Sequence, residues 1–180
     1  HFDRVMMVSY YGVRTLMPGD ERGERPFTAV RPGMAGLRAL LKTPFTADVW
    51  RELKHMRRDG VLTLGNALRL LAFTQRGLKM HYWTERLMRG AVEAHTTLYS
   101  CWMSFDGYAA ALSKRKHPRV RCVIRGHAYD VDTERFAKNP YMMKRRIAAE
   151  ADGLYLISRT ARAQFMSYMR GHVDERKVHV

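Results

Sequence analysis

The feature that most constrains this chain is an alternation. Short runs of β-branched and aromatic residues, each brief enough for a strand, are separated by longer segments with apolar residues at helical spacing. Residues 4–10 (RVMMVSY) read as a strand, and residues 27–31 as a weaker second one after a loop rich in Gly, Pro and Glu. Helical periodicity covers residues 34–41 and 47–58 and is plainest over 64–89, where Gly90 supplies a C-terminal cap. Residues 96–101 (TTLYSC) are strand-like, Ser104 caps a helix that Pro118 stops, and residues 120–124 (VRCVI) form another strand. Asn139-Pro140 has the cap-then-proline order of a helix start. Residues 154–157 (LYLI) read as a strand, Ser158 caps a helix reaching Gly171, and residues 177–180 (KVHV) resemble a further strand beginning. Strand and helix in turn predict an α/β domain with a mainly parallel sheet.

Length and composition bound what such a domain can be. The chain has 180 residues, which is room for a single domain, 1–180. Its 46% hydrophobic and 11% aromatic residues can fill a core, which excludes a disordered chain. The longest stretch free of Asp, Glu, Lys and Arg, residues 94–105, falls well short of the roughly 20 apolar residues that cross a bilayer. No basic start, apolar run and small-residue cleavage site points to secretion. Cys101 and Cys122 are too few for a disulfide scaffold, and both thiols are expected in the core of a cytoplasmic protein. A start at His1 rather than Met, and an end inside a strand-like run, lead us to expect a fragment of a larger protein.

The formal charge of +15 narrows the partners. Such a charge suits a nucleic-acid binder or an anionic membrane surface. Basic clusters at Arg57-Arg58, 114–116 and 144–146 fall in different helices with no aromatic stacking motif among them, which disfavours nucleic acid. On the helix over 64–89, Leu64, Leu68, Leu71, Leu78 and Tyr82 make one apolar stripe. The opposite side carries Arg69, Phe73, Arg76, Met80, Trp83 and Leu87. Interleaved apolar and basic residues suit a protein peripheral on an anionic membrane, with Phe73, Arg76, Met80 and Trp83 facing the lipid. The alternative is a helix packed on both sides.

In a parallel α/β sheet, ligands sit beyond the carboxyl ends of the strands. Three segments fall there: residues 101–104, 125–130 and 158–160. The middle one is the richest. Gly126 lets the backbone turn or a ligand approach closely, His127 can serve as acid, base or hydrogen-bond donor, and Tyr129 and Asp130 add polar reach. The competing reading, in which His127 and Asp130 only stitch a loop, is equally compatible with the spacing. His81 and Glu85, at i and i+4, lack a third ligand, so no metal site is expected. Cys101 and His127 could be pictured as nucleophile and base, but a buried thiol is the simpler account.

Residues 97–103 (TLYSCWM), 123–131 (VIRGHAYDV) and 156–160 (LISRT) together resemble the N-terminal domain of family 4 (group 1) glycosyltransferases of the polysaccharide-biosynthesis type. The resemblance covers roughly residues 95–180, with the order and spacing of its motifs kept. It implies one Rossmann-like half of a two-domain GT-B enzyme, in which a nucleotide-sugar serves as co-substrate. A sugar passes with retention of configuration to a glycan or lipid-linked acceptor, usually without a metal or other cofactor. In that family the residue matching His127 reaches the transferred sugar, which makes His127 the expected catalytic residue. Trp102, Arg125, Gly126, Tyr129, Asp130, Ser158 and Arg159 are then the expected substrate-binding residues. The donor site would belong to a second domain, so the isolated chain is expected not to turn over. The family's glycine-rich loop after the first strand is not matched beyond Tyr10-Tyr-Gly12. Glu85 and Glu93 share the spacing of the family's donor-site glutamates, but they straddle the end of a basic helix and are set aside as coincidence. The alternative from another class is a noncatalytic basic module that binds nucleic acid or anionic lipid headgroups.

Overall fold

A computed structural model describes residues 7–9, 27–29, 33–89, 95–131 and 142–180. The expected cap at Gly90, the Asn139-Pro140 helix start and Glu93 lie outside these residues. The described elements are β1 (Met7–Ser9), β2 (Phe27–Ala29), α1 (Met34–Lys42), α2 (Ala47–Arg58), α3 (Leu64–Leu87), β3 (Thr97–Ser100), α4 (Phe105–Lys116), β4 (Arg121–Gly126), α5 (Ala128–Val131), α6 (Lys144–Glu150), β5 (Gly153–Leu156), α7 (Arg159–Met169) and β6 (Val178–His179).

The strands form two parallel sets. β1 pairs with β2, Met7 opposite Phe27. The second set is a four-stranded sheet in the order β3-β4-β5-β6, parallel throughout. Each crossover in it steps the same way. Because such connections are right-handed, their helices share one face of the sheet, and α4 accordingly meets α6 while α5 meets α7.

Register decides which side chains that face buries. Along β4, Cys122, Ile124 and Gly126 point inward, as do Leu154 and Leu156 of β5 and Val178 of β6. Phe165 and Met169 of α7 and Ile147 and Ala148 of α6 complete this core. The alternate positions, among them Tyr99, Arg121, Arg125 and Tyr155, remain exposed on the outward face. There Tyr155 and His179 stack with ring centres 4.9 Å apart.

α3 packs chiefly on α4, with Tyr108 fully buried between them. The helix begins where the Thr63 hydroxyl accepts the Asn66 N–H at 3.1 Å. Two sequence expectations change here. Leu64 and Leu68, read as part of an inward stripe, are exposed, and burial starts only at Leu70. Phe73, read as facing lipid, is half-buried against Phe105 and Tyr108, each 6.3 Å away between ring centres. Trp83 and Met80 are also half-buried, and of the four proposed membrane-facing residues only Arg76 is exposed. The cause is that α4 occupies the side of α3 that the sequence pattern assigned to lipid. The helix is therefore packed on that side, as the alternative reading had it.

Candidate functional site

Three loops leave the carboxyl ends of β3, β4 and β5, and a single carboxylate binds the first two together. Asp130, only 2% exposed, offers Oδ2 to the backbone N–H of Met103 at 3.2 Å and to that of His127 at 3.0 Å. Its loop is further held by Lys144, whose Nζ donates to the Asp130 carbonyl oxygen. Met103 is buried beneath the first loop. Its neighbour Trp102, 44% exposed, lies against the His127 ring with centres 4.2 Å apart and planes 33° from parallel. The result is an aromatic platform open to solvent on one side, with its backbone fixed from below.

The first loop is also braced within itself. The Ser100 hydroxyl lies 2.8 Å from both the Trp102 carbonyl oxygen and Asp106 Oδ2, and the Ser104 hydroxyl donates to Asp106 Oδ1. At the third loop the Ser158 hydroxyl accepts the Ala161 N–H at 3.1 Å and so caps α7.

The groups beneath the platform have shifted acidities. Burial pushes the Asp130 carboxyl above the usual carboxylate range, opposed by the His127 N–H, the Lys144 charge and the Met103 N–H. Lys144 is brought down to about 8 by burial, against the pull of Asp130 and Glu52. Glu52, on α2, accepts the Met143 N–H at 3.1 Å. Burial raises its carboxyl to about 7, opposed by Arg145.

The expected site residues divide accordingly. Trp102, His127 and exposed Tyr129 come together at the carboxyl ends of β3 and β4, and Arg159 is exposed at the start of α7. Arg125 stands on the outward face of β4. Two of the site expectations are corrected. Asp130 faces inward and holds loops instead of lining the surface. Gly126 is buried, and a Cβ there would stand 2.6 Å from Leu156 Cδ2 and 3.3 Å from Met103 Cε, so close packing explains the glycine and not ligand approach. The Ser158 hydroxyl caps its own helix, as the sequence reading had it. Cys101 is exposed instead of buried, whereas Cys122 is buried, with its thiol pushed up to about 12.

Sequence reasoning missed Lys144 and Glu52. Lys144 sits in a run of three cations, and nothing in that run marks which one turns inward. His81 does contact Glu85, at 3.9 Å along the helix. Among the described residues no group of three His, Cys, Asp or Glu could hold a metal ion, and no helix is long and apolar enough to cross a membrane.

Comparison with protein-family models, curated proteins and solved structures finds no match. What stands is an α/β protein with a parallel sheet and an aromatic–imidazole platform at the carboxyl ends of its strands.

Proposed function

We propose that this chain is the acceptor-side, Rossmann-like domain of a retaining GT-B glycosyltransferase, acting with a nucleotide-sugar donor on a glycan or lipid-linked acceptor. The observation that carries the reading is the Trp102–His127 stack, open to solvent and anchored through Asp130. An indole face offers a flat apolar surface to the C–H face of a sugar ring, and the imidazole beside it can exchange a hydrogen bond or a proton with a hydroxyl. In this reading His127 contacts the transferred sugar, Trp102 and Tyr129 shape the acceptor subsite, and Arg125 and Arg159 lie at its margins. Asp130 and Lys144 are positioning residues that act through the loop backbone.

Saturation-transfer NMR with a panel of oligosaccharides tests the platform in the chain itself. Contacts should vanish in Trp102→Ala and His127→Ala while the melting temperature holds. Oligosaccharide signals indifferent to both substitutions would overturn the assignment. Nucleotide-sugars should bind this chain weakly, and tight saturable binding in calorimetry would place the donor half of the cleft here. In a two-domain enzyme containing this chain, His127→Ala should lower kcat far more than stability. Activity within about twofold of wild type would remove His127 from the mechanism.

The alternative, a noncatalytic basic module, is opposed in its nucleic-acid form by the fate of two basic clusters. Lys114 pairs with Asp152 at 3.0 Å, Arg115 approaches Asp48 at 3.6 Å, and Lys116 pairs with Glu85. Lys144 is buried, Arg145 pairs with Asp59 at 2.7 Å, and Arg146 pairs with Asp48 at 2.8 Å. Charges neutralised within the fold are poorly available to a phosphate backbone.

A further inference from the structure

A second surface lies at the opposite end of the sheet. α4 runs back from the carboxyl end of β3, and its last turn reaches the entry to β4, where Lys114 Nζ donates to the carbonyls of Pro118 and Val120. Between this turn, α1 and the end of α3 is a cleft of about 470 Å³. Its charged lining is Arg38, Arg86, Arg89 and Lys116 against the single carboxylate of Glu85. Glu85 is engaged by Lys116 and by His117, whose Nε2 lies 3.1 Å from both carboxylate oxygens. Arg38 stacks 4.5 Å over the Tyr82 ring and Arg86 lies 5.5 Å from the Trp83 ring centre. Such stacking orients a guanidinium without neutralising it. Among the described residues, none of Arg38, Arg86 and Arg89 has a carboxylate partner.

The rim of this cleft is α1, and its pattern is inverted relative to a core helix. Ala39 is buried, whereas Met34, Leu37, Leu40, Leu41 and the adjacent Phe45 are between 52% and 80% exposed. At 3.6 residues per turn the four α1 side chains span one arc opposite Ala39, bordered along one side by Arg38 and Lys42. Arg38 lines the cleft, and Lys42 and Phe45 line an adjoining hollow of about 340 Å³. A contiguous apolar arc of this kind marks an interaction surface. Charge decides its occupant. An apolar protein partner would leave the three guanidiniums without a counter-charge, whereas an anionic bilayer supplies phosphate at the level of the cleft and hydrocarbon beneath the arc.

We infer that α1 docks on an anionic lipid surface, its Met34–Leu37–Leu41–Phe45 ridge inserted shallowly and a headgroup phosphate drawn between Arg38, Arg86 and Arg89. The inference does not rest on the role of His127, and substitution of His127 should leave docking unchanged. The surface also differs from the α3 face expected from sequence.

Sedimentation of the whole chain with vesicles tests it. The protein should pellet with vesicles containing phosphatidylglycerol and stay in solution with phosphatidylcholine alone. Attachment should fall steeply as the Debye length shortens from about 10 Å at 0.1 M salt to about 3 Å at 1 M. Each cation near the surface strengthens attachment about fivefold, so Arg86→Gln with Arg89→Gln should weaken it roughly 25-fold at low salt and flatten the salt dependence. Leu37→Ser with Leu41→Ser should weaken it at every salt concentration without lowering the melting temperature. Equal attachment to both vesicle types, or attachment unmoved by either pair, would overturn the proposal. So would a failure to pellet together with a lowered melting temperature in the leucine pair, which would mean that the chain covers this ridge itself. Saturable binding of inorganic pyrophosphate without any vesicle attachment would assign the cleft to a soluble phosphate instead.

Discussion

Asp130 Oδ2 accepts the backbone N–H of Met103 at 3.2 Å, across 27 positions of sequence. The same oxygen accepts the His127 N–H, so one atom sets the spacing of the two loops that carry Trp102 and His127. Removing it leaves two N–H groups without their acceptor, at about 1–3 kcal/mol each where burial is complete. Asp130→Ala should therefore cost about 2–4 kcal/mol, and each kcal/mol lowers the melting temperature by roughly 2–4 °C at this chain length. Asp130→Asn keeps a carbonyl oxygen for the pair and should cost less than half as much. An alanine variant that melts with wild type would show that the loops hold their spacing without the carboxylate.

Two buried groups give this protein opposing pH dependences. Glu52 has its carboxyl raised from 4.5 to about 7 by burial, with Arg145, the Met143 N–H and Lys144 opposing and Asp59 reinforcing. Its contribution is fully present below pH 4.5 and is lost as pH rises through 7, by about 3 kcal/mol in all. His81, which shares a 2.8 Å contact with the Ser113 hydroxyl, is lowered from 6.5 to about 4 by burial. Glu85 opposes that shift, and Lys116, Arg115 and His117 reinforce it. Its contribution is present above pH 6.5 and is lost as pH falls through 4. Between pH 4.5 and 6.5 the two slopes cancel, each about 1.4 kcal/mol per pH unit at most. Glu52→Gln should unmask the histidine, so that urea midpoints fall on acidification more steeply than in wild type. Parallel profiles for the two proteins would remove Glu52 from the titration.

What could be read in advance follows from which interactions are local. α2 is legible at 47–58 because the helical spacing that marks it lies within one segment. The Ser158 cap and the order of β3, α4, β4, β5 and α7 were legible for the same reason. The inward turn of Asp130 was not, because it depends on how two loops far apart in sequence are brought together. The orientation of α3 was not either, since apolar residues occur all around that helix and only its tertiary neighbour selects a side. One clue was present and unused. β4 alternates Arg121, Val123 and Arg125 with Cys122, Ile124 and Gly126, the pattern of a sheet buried on one face and not on both.

The packing of Phe73 separates the two candidate membrane faces. Its ring touches Phe105 and Tyr108 in the α3–α4 interface, so Phe73→Ser should act on stability. A fully buried Phe costs about 3–5 kcal/mol on truncation, and half burial brings this to about 2 kcal/mol. Vesicle attachment measured below the melting temperature should be unchanged in this variant, while the Leu37 and Leu41 substitutions should do the reverse. Loss of attachment in a stably folded Phe73→Ser protein would return the docking face to α3.

Two helical glycines should respond to the same substitution with opposite sign. In α3, a Cβ on Gly77 would stand 2.6 Å from Tyr108 Cδ1 and 3.1 Å from the backbone oxygen of Phe105. The tyrosine ring is fully buried and its hydroxyl donates to Asp48 Oδ2 at 3.1 Å, so it has little room to retreat. The carbonyl can move only if α4 moves. Gly77→Ala should thus cost about 1–3 kcal/mol through overpacking, despite the better helix propensity of alanine. In α1, Gly36 has nothing within 4 Å of its would-be Cβ. There the substitution meets no neighbour, reduces the freedom of the unfolded chain and should add about 0.5–1 kcal/mol. Thermal melts of the two variants decide the matter. A Gly77→Ala protein at least as stable as wild type would show that α3 and α4 do not approach this closely, and with that the burial of Tyr108 and the placement of Phe73 would have to be redrawn.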